Sequence, residues 1–133
     1  MIDLFNYERR KSSVTHVGSL DMGGDNPVRI QSMTTTNTND TEASVAQAKR
    51  IIAAGGELVR LTTQGKREAE NLKYINAQLR EEGIMTPLCA DVHFNANVAD
   101  VAALYAEKVR INPGNYVDPG RTFKVLEYTD EVY

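Results

Sequence analysis

Apolar and polar positions change period several times along the chain, and the changes mark out its elements. Val28 to Met33, Leu58 to Thr62, Pro87 to Val92 and Lys108 to Asn112 are short runs rich in Val, Ile and Leu that read as strands. Between them the apolar positions take helical spacing: Val45, Ala48, Ile51 and Ile52, then Leu72, Ile75 and Leu79, then Val98, Val101, Ala102 and Tyr105. The first helix starts at Asn39 or Asp40. Either residue can cap it, Asn39 with Glu42 has the reciprocal capping pattern, and Gly55-Gly56 stops it. A second helix is predicted from about Arg67 to Glu82, with Gly83 after its end, and Asn95 caps a third that is predicted to run through Ala106.

Before the first strand, Val14 to Leu20 alternates loosely and runs into Gly23-Gly24-Asp25-Asn26-Pro27, a turn cluster, which predicts a short hairpin. Beyond Gly114 the pattern changes. Asp118-Pro119-Gly120 is a turn, Phe123 to Tyr128 reads as a strand or one helical turn, and no clear further unit forms. The main strands start roughly 20 to 30 residues apart, the spacing of successive right-handed βα units. The chain is therefore α/β with a parallel sheet: an amino-terminal extension and hairpin over 1–26, four βα units over 27–115, and the start of a truncated next segment over 116–133.

Two parallel folds accept such units. A doubly wound open sheet predicts a glycine-rich phosphate loop directly after its first strand, where this chain has Ser32-Met33-Thr34-Thr35-Thr36-Asn37. Polar clusters instead follow the carboxyl ends of four different strands. Strands buried on both faces should read as hydrophobic throughout, so charges at their ends imply a site built there. This favours roughly half of a (β/α)8 TIM barrel, which takes about 250 residues when complete.

The strand-end residues suit a phosphate-sized anion. Arg60 stands among apolar neighbours, and a buried arginine needs an acid or an anion. Asp91, at similar depth on the next strand, is the candidate acid; an internal salt bridge and an orienting role in an anion site are evenly balanced for that pair. Arg110 tips the balance, because two arginines with one aspartate leave net positive charge. Gln31, Ser32, Thr34 and Thr62 add uncharged donors, Asn112 and Asn115 flank the flexible Pro113-Gly114, and His93 can donate to phosphate or act as an acid near neutral pH. Taken singly, Pro113-Gly114 is a plain turn and His93 a polar contact; His16 belongs on the surface of the hairpin. Together the residues describe a cation-lined pocket for a diphosphate. No catalytic residue stands out, since H-E-x-x-H spacing, a Cys-His nucleophile pair and a partnered lone carboxylate are all missing.

Composition narrows the class further. A formal charge of -3 over 133 residues argues against a nucleic-acid module, so anion binding must be local. No apolar stretch approaches the roughly 20 residues that span a bilayer, and the opening residues lack the layout of a secretory signal, so the cytoplasm is the default location. Cys89, the single cysteine, cannot form an internal disulfide or by itself hold zinc or an iron-sulfur cluster, and no metal site is expected in this chain.

Several stretches resemble one family closely: Gly23 to Thr34, Asp40-Thr41-Glu42-Ala43, Glu57 to Thr62, Ala90-Asp91-Val92-His93-Phe94-Asn95 and Lys108 to Asn115. In order and spacing they resemble the amino-terminal part of the 4-hydroxy-3-methylbut-2-enyl diphosphate synthases, oxidoreductases of the deoxyxylulose phosphate pathway to isoprenoids. The resemblance implies a (β/α)8 barrel that binds 2-C-methyl-D-erythritol 2,4-cyclodiphosphate, and a carboxyl-terminal domain whose cysteines carry a four-iron four-sulfur cluster. It implies a two-electron reductive ring opening with ferredoxin or flavodoxin as donor. Carried over, Arg60 and Arg110 hold the diphosphate, Asp91 orients them, and His93, Asn112 and Asn115 line the substrate. Tyr128-Thr129-Asp130-Glu131 resembles the longer form of the family, in which an extra domain interrupts the barrel.

The chain lacks the cluster ligands and the later barrel strands, so it is expected to be an amino-terminal fragment, inactive alone and prone to self-association through its open sheet edges. The other readings are the phosphate-binding half of an unrelated barrel enzyme without redox chemistry, and a free-standing interaction domain.

Overall fold

A computed structural model of the chain describes residues 10–93 and 95–114. An antiparallel hairpin of β1 (Thr15–Val17) and β2 (Leu20–Met22) precedes a four-stranded parallel sheet. The sheet comprises β3 (Gln31–Met33), β4 (Leu58–Thr63), β5 (Leu88–Val92) and β6 (Lys108–Arg110), with α1 (Thr41–Ala53), α2 (Lys66–Glu81) and α3 (Ala96–Ala102) as crossovers. Strands lie side by side in chain order, β3-β4-β5-β6, without the reversal that a doubly wound sheet requires at its switch point. This is the order of a barrel wall.

Local chemistry explains the helix limits. The Asp40 carboxylate accepts from the Ala43 backbone N–H at 3.1 Å, so Asp40 rather than Asn39 is the cap of α1. Gly55 and Gly83 take left-handed φ values of 105° and 77° just past α1 and α2, a conformation that costs glycine least. Asn95 caps α3 by accepting from the Asn97 backbone N–H.

The core lies between the sheet and the helices. Val59, Leu61, Leu88, Ala90 and Val92 point to that side and meet Val45 and Ala48 of α1, Leu72, Ile75 and Leu79 of α2 and Val98 and Ala102 of α3. Burying a side chain such as Leu72 contributes about 1.5–3 kcal/mol. A second, smaller cluster occupies the opposite face, which we term the inner face: Val17, Leu20 and Met22 of the hairpin pack on Leu58 and Cys89 near the amino-terminal ends of β4 and β5. The hairpin thus forms an apolar floor beneath the inner face. Glu107 joins this end to the helices, accepting from the Leu88 backbone N–H at 2.8 Å, from Arg80 at 2.7 Å and from Asn76 at 3.1 Å. Burial alone would raise the Glu107 carboxyl, but these hydrogen bonds outweigh it and hold the pKa below the usual carboxylate range.

Three predicted limits are corrected. The hairpin turns at Gly18-Ser19, where Gly18 has φ 59°, and Gly23-Gly24 follows its second strand. The first main strand is Gln31–Met33 rather than Val28 to Met33: Ile30 already accepts from the backbone N–H groups of Glu57 and Leu58, where β4 begins, so earlier residues have no strand to pair with and Val28 is exposed. The third helix ends at Ala102, not Ala106, because Asn76 on α2 takes the Tyr105 carbonyl at 2.8 Å and Tyr105 N–H closes a tighter turn onto Ala102. The expected turn and strand beyond Gly114 lie outside the described residues. Among the described residues no helix is long and apolar enough to cross a membrane.

Leu72→Ala is expected to destabilise the fold by about 2–5 kcal/mol in urea denaturation, since Leu72 is fully buried beneath the sheet. Leu104→Ala, at a 73% exposed position, should stay within about 0.5 kcal/mol of the parent.

Candidate functional site

Parallel register sorts the inner-face residues into rows. Met33, Arg60, Cys89 and Lys108 stand side by side, and the next row toward the carboxyl ends holds Thr62, Asp91 and Arg110. His93 follows Asp91, and Asn112 follows Arg110, two residues further along the chain.

Asp91 is the centre of the arrangement. Its side chain is 1% exposed, and both oxygens are engaged: Arg60 Nη2 donates to Oδ2 at 2.6 Å and Arg110 Nη1 to Oδ1 at 3.1 Å. His93 Nε2 lies 3.2 Å from the same Oδ2. Burial by itself would raise the Asp91 carboxyl; the Arg60 hydrogen bond and the charges of Arg60, His93 and Arg110 overcome it and hold the pKa below the ordinary value. An ionised Asp91 therefore holds two guanidinium groups beside it while using one N–H of each. Arg60 Nε is buried and has no partner. The cluster carries more donors and more positive charge than Asp91 consumes, which is the chemistry of an anion site.

The remaining predicted residues divide. Thr62 lies in the Asp91 row, and Asn112 stands above Arg110, its Oδ1 accepting from the Gly114 backbone N–H at 3.0 Å in the turn that ends the strand. Gln31 shares the face but sits level with Leu58, two rows below Asp91. Ser32 and Thr34 fall on the opposite face. Ser32 is in register with Val59 of the helix-side core and lines a cleft with Gln47 and Ile51 of α1. Thr34 is buried with its Oγ1 unpartnered, and its backbone N–H continues the ladder to the Arg60 carbonyl. One residue along a strand reverses the side-chain direction, which separates Ser32 and Thr34 from Arg60. Asn115 lies outside the described residues.

The loop after β3 is held from outside the site: Gln47 Oε1 accepts from the backbone N–H groups of Thr35 and Thr36, Thr38 Oγ1 donates to the Thr62 carbonyl, and Asn71 donates to the Thr38 carbonyl. Lys108, on the inner face beside Cys89, was not singled out by sequence pattern; its place two residues before Arg110 is the signal that could have found it. Among the described residues no group of three or more His, Cys, Asp or Glu side chains is placed to hold a metal ion. Cys89 is buried, and its thiol is pushed up by burial despite the opposing charges of Lys108 and Arg60.

The sequence pattern of the GcpE TIM-barrel domain matches residues 12–132. The chain belongs to the GcpE family. This bears out both the resemblance and the barrel reading. GcpE relatives extend across several bacteria: the chain is 74% identical to a Phocaeicola vulgatus protein, 64% to one from Parabacteroides distasonis and 46% to one from Chlorobaculum tepidum. Each is named 4-hydroxy-3-methylbut-2-en-1-yl diphosphate synthase (flavodoxin). The alignments cover 99%, 97% and 98% of this chain but only 22%, 21% and 17% of those proteins, so the chain spans about a fifth of the length of the curated GcpE relatives it matches.

Asp91→Asn removes the charge that holds both arginines. It is expected to cost about 2–4 kcal/mol at pH 7, less than a fully buried pair because the arginines keep partial contact with water. Folding lowers the Asp91 pKa, so its contribution is complete above the unfolded value and is lost as pH falls through the folded one. The stability gap between wild type and Asp91→Asn, measured by urea denaturation, should therefore begin to narrow below about pH 4 and go on narrowing as pH falls toward the folded pKa; a gap that does not narrow between about pH 4 and pH 2 would count against an ionised Asp91 hub.

Proposed function

We propose that this chain is the amino-terminal part of an iron-sulfur oxidoreductase that opens 2-C-methyl-D-erythritol 2,4-cyclodiphosphate reductively to 4-hydroxy-3-methylbut-2-enyl diphosphate. In this reading the chain supplies one side of the substrate-binding face. The observation that carries it is the Asp91 hub, which holds Arg60 and Arg110 on the two strands that flank its own and uses one N–H of each. Membership of the GcpE family and the names of its relatives support the identity of the anion, and the donor in those names supports flavodoxin as the source of electrons in the cytoplasm.

Arg60 and Arg110 bind the diphosphate oxygens through charge-assisted hydrogen bonds. Thr62 and the Asn112 amide add neutral donors at the rim, His93 sits where it can donate to a phosphate oxygen, and Asn115 is taken to complete the rim. Gln31, Ser32 and Thr34 shape the wall without reaching the anion in this arrangement. The residues present do not fit a four-iron four-sulfur cluster: the one cysteine is sealed between β5 and the hairpin with a raised pKa, whereas a cluster needs several thiolates converging on one point. Its ligands are assigned to the part of the protein beyond this chain, and the isolated chain is inactive.

In the full-length enzyme, Arg60→Ala is expected to weaken cyclodiphosphate binding by about tenfold to a hundredfold in calorimetric titration, with iron content unchanged. Normal affinity combined with lost folding would make Arg60 a structural residue. The isolated chain exposes Val28, Ile30 and Met33 along and before β3, so it should self-associate; a stable monomer in light scattering at working concentration would contradict that.

A further inference from the structure

The charges of the inner face are met unequally. Lys108 is in register with Cys89, which is in register with Arg60, so the three occupy one row of one face. Arg60 is tied to Asp91. Among the described residues, Lys108 has neither an ion pair nor a hydrogen bond to its ammonium.

The surroundings limit where that ammonium can go. Beneath the row lies the apolar floor of Val17, Leu58, Leu20 and Met22, and an ammonium buried there without a partner would be strongly disfavoured. A long cationic side chain instead lays its stem along apolar surface and carries its charge toward polar surroundings. Arg60 demonstrates the reach: from the same row, its guanidinium meets Asp91 in the row above at 2.6 Å. Lys108 starts beside Arg110 on the same strand and has the same route upward.

Charge balance indicates what it meets. Arg60 and Arg110 against Asp91 leave one net positive charge, apart from any proton on His93. A cyclic diphosphate carries one ionised oxygen on each phosphorus, two negative charges in all. We propose that Lys108 is a direct substrate contact, reaching up from the row of Arg60 to supply the second positive charge to the diphosphate. This rests on the cyclodiphosphate reading above. The competing role is a structural ion pair with an acid carried by the rest of the barrel.

The test uses the full-length enzyme with its cluster intact, 2-C-methyl-D-erythritol 2,4-cyclodiphosphate as the titrated ligand, and thermal unfolding as a parallel readout. Lys108→Met should raise Kd about tenfold to a hundredfold with the melting temperature little changed, and Lys108→Arg should keep most of the affinity. Unchanged Kd in a folded Lys108→Met protein overturns the proposal. Loss of folding in both Lys108→Met and Lys108→Gln also overturns it, in favour of the structural pair. Arg110→Met separates the two levels of the argument: if it weakens binding and Lys108→Met does not, only the Lys108 assignment fails. If neither changes Kd, the cyclodiphosphate reading fails with it.

Discussion

A carboxylate withdrawn from water costs several kcal/mol unless donors meet its oxygens, and Asp91 is almost wholly withdrawn. Its position on the central pair of strands means that the cost is offset only if Arg60 on one neighbour and Arg110 on the other arrive in register. Sheet register and site geometry are therefore one constraint. A slip of one residue in β4 or β6 would turn its arginine toward the helices, leaving Asp91 short of a donor and burying a guanidinium in the apolar core. The ion cluster contributes less through net stability than through the arrangement it enforces.

The two faces of the sheet divide the labour. On the helix side, Leu61, Ala90 and Leu72 are packed without exposure and give the strands their rigid backing. On the inner side, polarity rises along the strands, from Leu58 against the hairpin floor, through the row of Arg60, Cys89 and Lys108, to the row of Asp91 and Arg110. Rigid strands thus position the arginines better than a mobile loop could, and the polar end of the gradient coincides with the carboxyl ends where barrel proteins bind their ligands.

Much of this was legible from residue order. Helical spacing located Leu72, Ile75 and Leu79 correctly, and Asp40 and Asn95 announced two helix starts. The Arg60–Asp91 pair followed from the impossibility of leaving an arginine alone among apolar neighbours. What escaped was governed by parity and by distant partners. In the sequence Ser32 and Thr34 group with the site residues, because a three-residue strand offers too little alternation to fix which side chains face inward. Lys108 does not stand out in the sequence, because a lysine at a strand start reads as a boundary. The early end of α3 depends on Asn76, 29 residues away along the chain, capturing the Tyr105 carbonyl, a contact that no local pattern encodes. The turn at Gly18 was masked by the more conspicuous glycines at 23 and 24.

The hairpin floor has a consequence for the order of events during synthesis. Its residues leave the ribosome before the parallel strands that cover them, yet an isolated two-stranded hairpin is at best marginally stable in water. Among the described residues its apolar side is covered by Leu58 and Cys89, which emerge roughly 40 and 70 residues later. The hairpin must therefore remain uncommitted until the second and third parallel strands exist. The floor is laid after the walls have begun to rise, so this segment of the nascent chain stays available to chaperones through that interval.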